Sequence, residues 1–199
     1  MHPNPLFRSE DRQWLGALID RVGFGMVFLT TPDGPRVAHM PLLRAGEDRL
    51  RFHLARSNAL TRHLDGARAL LVVNGPDGYV SPRWYDDRAT VPTWDYVALE
   101  LEGIVRQLGH EELEDLLYRS IEENENRLAG DKWTAEETPQ PMWDKLAAAI
   151  VGFELTIEHW RPTLKLSQKR SRPERERIAE RHAANGNEPL AAMMREALP

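Results

Sequence analysis

The chain has 199 residues, a formal net charge of −5, 41% hydrophobic residues and no cysteine. That length allows one large domain, or one domain with an appendage, around a sizeable core. The lack of cysteine excludes disulfides, thiolate metal sites and thiol nucleophiles and fits the cytosol. The acidic balance confines any nucleic-acid contact to a local basic patch, and no apolar run suits a signal peptide or a membrane span.

In chain order, Ser9 can cap a helix running to Val22, with Trp14, Leu15, Leu18, Ile19 and Val22 at helical spacing and Glu10 and Asp11 in its first turn. Phe24–Thr31 reads as a buried strand, Pro32–Pro35 as a turn and Arg36–Leu43 as the returning strand. After Ala45–Asp48, Arg49–Leu54 completes an expected antiparallel meander of three strands. Asn58–Leu64 is predicted as a short helix and Ala67–Val73 as a strand buried on both faces. Tyr96–Leu108 alternates Val97, Leu99 and Leu101 against Ala98, Glu100 and Glu102, a long strand in which Gly103 marks a bend or bulge. His110–Asn124 is an amphipathic helix with Leu113, Leu116, Leu117 and Ile121 on its apolar stripe. Trp133 anchors the polar stretch after it. Met142–Ile150 reads as helix, Val151–Glu158 as the last long strand and Thr163–Leu166 as one more. Ser171-Arg172-Pro173-Glu174 is a capping box opening a helix with little besides Ile178 to bury. Gly186 ends it, and Pro189–Leu198 closes the chain as a small helix. About six or seven short strands with no βαβ alternation predict an antiparallel barrel with peripheral helices, residues 1–170 forming the barrel domain and 171–199 a helical tail.

The stretch Gly78–Gly103 places Trp84, Tyr85, Trp94 and Tyr96 within thirteen residues. Much of it reads as an irregular loop, where such side chains need a cover. They either pack on the body or on a second subunit, or wall a flat ligand.

Three further constellations carry chemistry. His53-Leu54-Ala55-Arg56-Ser57-Asn58, with Arg62 a turn later, runs from strand end to helix start. There unpaired N–H groups favour an anion, and the arginines can add charge-assisted bonds. The alternative is an ordinary cap with two surface arginines. Ala38-His39-Met40-Pro41 sits on a strand whose proline demands an edge or bulge. Its free backbone groups suit the polar rim of a heterocycle, or His39 is held in the core. His39 and His53 could share a metal, but no third ligand has the spacing. Lys165-Leu166-Ser167-Gln168-Lys169-Arg170 lies in a segment, Arg161–Arg181, holding eight Lys/Arg and three Glu. It could clamp a ligand, contact DNA or pair with its own glutamates. There is no G-x-S-x-G elbow, and neither Ser81 nor Ser167 has a histidine near it in sequence, so hydrolysis is disfavoured.

Taken together, these segments, with Gly78–Tyr85, Val91–Tyr96 and Val151–Glu154, resemble the PaiB-type FMN-binding negative transcriptional regulators, within the wider FMN-binding split barrels that include pyridoxamine-phosphate oxidases. The resemblance runs from about Met1 to Arg181. It implies a split barrel that forms a homodimer with FMN at each end of the interface. It also implies site roles. Arg56, Ser57 and Asn58, beside His53 and Arg62, match the phosphate turn. Ala38, His39 and Met40 match the strand along the isoalloxazine. Tyr79, Ser81, Trp84, Trp94 and Tyr96 match the interface loop, and Lys165, Ser167, Gln168 and Arg170 match the C-terminal flavin motif. Lys169 stands where that motif has Asn. A cytoplasmic, DNA-binding repressor and a flavin-dependent oxidoreductase using a reduced nicotinamide are the two functions implied. No catalytic residue is nominated for the second.

Overall fold

The computed structural model describes residues 2–197. Its helices and strands, in chain order, are α1 (Arg12–Val22), β1 (Phe24–Thr31), β2 (Gly34–Pro41), β3 (Leu43–Arg44), β4 (Arg49–Ala55), α2 (Thr61–Leu64), β5 (Arg68–Val80), β6 (Thr93–Gln107), α3 (His110–Glu125), α4 (Gln140–Ala148), β7 (Ile150–Lys165), α5 (Arg172–Ala184) and α6 (Glu188–Glu196). Leu198, the expected end of the last helix, lies outside the described residues. The strands form one seven-stranded antiparallel sheet in the order β2-β1-β5-β6-β7-β4-β3. Among the described residues no helix is long and apolar enough to cross a membrane.

The β1–β2 hairpin is the one the sequence predicts, with Thr31 opposite Gly34 and Phe24 opposite Pro41. Gly34 takes φ +98°, a left-handed conformation that glycine adopts without strain. The expected three-strand meander does not form. The strand predicted over Arg36–Leu43 breaks at Leu42, whose N–H donates to the Gly23 carbonyl at 2.9 Å. The next two residues become β3, which pairs with β4 rather than with β1. One predicted strand thus supplies both edges of the sheet, β2 and β3. β4 in turn pairs with β7, His53 standing opposite Gly152.

Contacts divide the chain into two compact units. The first holds residues up to Asp11, Val73–Glu100 and the chain from Arg161 on; the second holds Arg12–Val72 and Leu101–Trp160. In the second unit Phe52 and Phe153, both fully buried, stack at 5.6 Å between centroids. α1 turns Leu15, Leu18 and Ile19 inward, as its periodicity predicts, and begins at Arg12, so Glu10 and Asp11 precede it. Leu43, Leu108, Leu113 and Leu116 form a satellite cluster under α3. Gly103 lies inside β6, where a Cβ would meet the Thr156 carbonyl oxygen at 1.8 Å. Glycine is required there by backbone approach.

Both ends of the predicted aromatic loop are strand. β5 continues through Asn74-Gly75-Pro76-Asp77-Gly78 to Val80, and β6 begins at Thr93, so Tyr79 and Trp94 stand on strands. Glycine and proline argued for a loop; sheet pairing, a non-local effect, overrides that local preference. Likewise β7 runs unbroken to Lys165, joining two predicted strands through Pro162.

Candidate functional site

In the second unit, β2 is an edge strand that buries Ala38 and Met40 and leaves His39 exposed. The alternative that His39 is held in the core is thereby removed. On β4, His53 is half-buried; its Nδ1 is enclosed without a hydrogen-bond partner, and burial lowers its pKa. The helix expected from Asn58 does not start there. Asn58 Oδ1 accepts the Leu60 N–H at 2.9 Å, and the Asn58 N–H donates to the Ala55 carbonyl at 2.9 Å. An Asx-type turn competes with the helix and wins, leaving only the single turn α2. The helix-terminus argument for an anion at Arg56–Asn58 therefore loses its basis. Arg56 is committed to the fold: its Nε and Nη2 donate to the carbonyls of Ala148 and Ile150 at 2.9 and 3.1 Å. Beside it opens a pocket of about 460 Å³, with Leu113, Ala147 and Val151 among its lining residues and His110 and Asp144 among its polar ones. Ser57 is exposed, and exposed Arg62 reaches His63 at 2.9 Å and Asp33 at 3.4 Å.

The first unit gathers the remaining predicted residues. Tyr79 and Trp94 meet edge to face at 6.2 Å and are 46% and 54% exposed. Ser81 is buried and accepts the Arg83 N–H at 3.3 Å, opening the 3₁₀ turn Pro82–Trp84. Tyr96 is half-buried. At the end of β7, the Lys165 ammonium donates to the Thr93 hydroxyl and the Trp94 carbonyl. Gln168 closes the following turn, accepting from the Leu166 N–H at 2.8 Å and donating to the Leu164 carbonyl. The Arg170 guanidinium lies over the Tyr85 ring at 3.6 Å, a cation–π contact, and reaches Glu174 at 3.8 Å. Lys169 is exposed.

Of these, Tyr85, Thr93, Lys165, Gln168, Lys169 and Arg170 border a pocket of about 550 Å³, within the range of about 300–1,000 Å³ typical of small-molecule sites, whereas Tyr79, Ser81, Trp94 and Tyr96 do not line it. Its least expected member is Asp95. The residue is fully buried, and its carboxylate accepts the Ser167 hydroxyl at 2.6 Å and the Ser167 N–H at 3.2 Å. Burial pushes its pKa up to about 6, against the Ser167 bonds and the Lys165 charge. Ser167 takes φ +59°, the one non-glycine residue with positive φ among the described residues. Such strain persists where surrounding contacts over-determine it. In sequence, Asp95 is one polar residue between two aromatics. Its place on the inward side of the Val97–Leu99–Leu101 alternation was the available signal.

Fold and site together define a flavin-type split barrel. Residues 1–159 match the family model described as "Putative FMN-binding domain", and the chain belongs to that family. The family to which the motif resemblance pointed is thus the chain's own, and FMN is its cofactor. The Bacillus subtilis (strain 168) protein named Protease synthase and sporulation protein PAI 2 is 28% identical, over 96% of this chain and 92% of that protein. A match that long necessarily runs past Arg181, where the motif resemblance stops. Among solved structures, the FAD and heme binding protein from Mycobacterium smegmatis aligns with a TM-score of 0.59 at 23% identity, over 84% of this chain and 77% of that one. The flavocytochrome Anf3 from Azotobacter vinelandii aligns with a TM-score of 0.53 at 19% identity, over 81% and 74%. At such identities both speak to the fold alone.

The residues suit a flavin in kind. Three cations, Lys165, Lys169 and Arg170, and the Gln168 amide border one pocket, paired aromatic rings stand half exposed, and a buried imidazole nitrogen on β4 lacks a partner.

Proposed function

We propose that this chain acts as a negative transcriptional regulator of the PaiB type, a homodimer carrying FMN at its interface. The observation that carries the reading is the Tyr79–Trp94 pair. Two large aromatic side chains about half exposed to water, in the same unit as the Lys165–Arg170 cluster, are an unfavourable arrangement until a ligand or a second copy covers them. In this reading residues 1–170 carry the flavin and 171–199 are appended to them. Ala38, His39 and Met40 run along the ring system. His53, Arg56, Ser57, Asn58 and Arg62 attend the phosphate. Ser81, Trp84, Trp94 and Tyr96 cover the ring from the interface, and Lys165, Ser167, Gln168 and Arg170 meet its polar rim.

FMN supplies a redox centre when bound; the protein's part is to bind and orient it. Lys165, fixed by Thr93 and the Trp94 carbonyl, holds a positive charge at the pocket wall, and Asp95 locks the turn that follows. The name of the Bacillus relative, Protease synthase and sporulation protein PAI 2, supports an output connected with protease synthesis and sporulation. Arg170 and Arg177 already pair within the chain, so DNA contact in a cytoplasmic dimer would fall to exposed Lys169, Arg172 and Arg181.

Purified protein should show flavin absorption and the mass of a dimer in solution. Trp94→Ala should weaken both dimerisation and flavin retention, and loss of neither would remove the interface assignment. The protein should also retard promoter DNA at low salt and release it as salt rises. No retardation at low salt would end the regulator reading, and rapid bleaching of bound FMN by a reduced nicotinamide would replace it with an oxidoreductase.

A further inference from the structure

α5 and α6 lie beyond residue 159, where the family match ends. α5 has almost no apolar stripe. Its buried residues include Glu174, Ile178 and His182, spaced four apart on one face, so the inward face has polar ends. Those ends grip the aromatic stretch. On one side, Asn187 Nδ2 donates to the Asp77 carbonyl at 2.8 Å, and Gly78 lies so close that a Cβ would stand 2.6 Å from His182 Cε1 and 2.8 Å from Leu190 Cδ2. On the other, Arg177 Nε donates to the Trp84 carbonyl at 2.7 Å and Arg177 Nη2 reaches Asp86 at 2.5 Å. Glu174, 8% exposed, accepts the Asp86 N–H at 3.1 Å. Between the two grips, the Trp84 indole stands edge-on to the His182 imidazole at 5.2 Å and 84°.

We propose that the α5–α6 hairpin is a clasp that positions Trp84 and its turn for FMN, and that protonation of His182 opens it. The proposal rests on the flavin reading above. His182 is 3% exposed, and its Nε2 is enclosed without a hydrogen-bond partner. The elements packed on it carry Asp77 on β5, Arg83 and Asp86 around Trp84, and Glu188 and Arg195 on α6. None of these takes a hydrogen bond from Nε2. A proton there would place a cation in the enclosure with no acceptor to meet it. Burial accordingly lowers the imidazole's pKa from its ordinary 6.5. The sign follows: the opened state binds the proton more readily, so the clasp holds fully above about pH 6.5 and weakens as pH falls below it. Glu174, Arg177 and His182 act through Trp84 and are positioning residues.

The test uses the full chain at pH 7.5 and 5.5, with two readouts. One is hydrogen exchange of the 78–86 amides, corrected for the intrinsic pH dependence. The other is affinity for FMN and, to remove the phosphate's own titration, for riboflavin. In the wild type, protection should fall about tenfold at the lower pH, and affinity for both flavins should fall with it. His182→Phe keeps a ring without a proton site, and His182→Gln serves if the larger ring is not accommodated. Either should hold the loss of protection under twofold. Arg177→Ala should lose protection and affinity about tenfold already at pH 7.5. The clasp is overturned by wild-type protection equal at both pH values, by full pH dependence in both His182 variants, or by wild-type behaviour of Arg177→Ala. If the wild type takes up no flavin at either pH, the cofactor site assignments fail, and loop exchange alone then decides the clasp.

Discussion

The two units each bury a carboxylate, in opposite circumstances. In the second, Arg51 and Arg106 converge on buried Glu154 at 2.8 Å each, and Glu112 and Asp115 close the network from α3. Burial opposes the Glu154 charge, but the two arginines together hold its pKa below the ordinary value. Arg106 and the Gly109 N–H pull Glu112 down to about 2. In the first unit, Asp95 is buried beside a pocket with only a serine and a lysine to answer it, and its pKa moves up. A carboxylate pulled down has found its partners. One pushed up retains unmet electrostatic demand, which marks a candidate functional position. The contrast marks Glu154 as structural charge and Asp95 as chemically poised charge.

The largest effect should come from breaking the satisfied network. Glu154→Ala leaves Arg51, whose side chain is 15% exposed, without its buried partner. Loss of one member of a buried pair costs about 3–5 kcal/mol, here toward the lower end because Glu112 and Asp115 remain. Urea unfolding should show it, while the flavin absorbance of folded protein stays unchanged. Stability within about 0.5 kcal/mol of wild type would mean that the network is only decorative.

Acid sharpens the comparison because the two units should answer it with opposite signs. Glu154 and Glu112 have depressed pKa values, so their stabilisation is present above about 4.5 and is lost as pH falls through the folded values. Asp95 has a raised pKa. Between 3.8 and about 6 its folded form binds the proton that its unfolded form has lost, so its contribution to stability declines as pH rises across that window. The span corresponds to a change on the order of 3 kcal/mol. Asp95→Asn should remove that slope. A stability profile with the same slope in wild type and variant would show that Asp95 ionises normally.

How far the sequence revealed these two regions follows from the range of the forces involved. Alternation of Val97, Leu99 and Leu101 announced β6, and the stripe of Leu113, Leu116 and Leu117 announced α3, because local periodicity reports burial directly. The break at Leu42 was not legible, because a hydrogen bond to Gly23 and a pairing partner on β4 create it. The grip of α5 was hidden for a related reason: its inward face ends in Glu174 and His182, which an apolar count discards. The Lys165–Arg170 motif was legible as a cluster of polar residues, whereas Asp95, which locks it, needed the fold to bring β6 and that turn together.

Arg56 tests whether the second unit contributes only structure. Its guanidinium bonds two carbonyls at the junction of α4 and β7, yet it borders a pocket and is exposed. If it also meets the flavin phosphate, Arg56→Ala should weaken FMN affinity more than tenfold, since a charge-assisted contact contributes about 1.5–3 kcal/mol. Riboflavin affinity should change far less. Equal losses for both ligands would mean that the variant acts only by loosening the α4–β7 junction.

The smallest effect should come from the position where this chain departs from the motif it resembles. Lys169 replaces the expected Asn, one residue before Arg170 stacks on Tyr85. Lys169 is exposed, and the turn is closed on either side of it: Gln168 bonds Leu164 and Leu166, and the Arg170 N–H donates to the Ser167 carbonyl at 2.9 Å. The turn's geometry therefore does not depend on the side chain at 169. Lys169→Asn should leave FMN affinity within about threefold, in the range of surface substitutions of about ±0.5 kcal/mol. The same change should lower any DNA affinity and shrink its salt slope by about one, since one phosphate-neutralising charge is gone. Lys169 also borders the 550 Å³ pocket, so a tenfold gain in FMN affinity would instead mean that its side chain meets the ligand there.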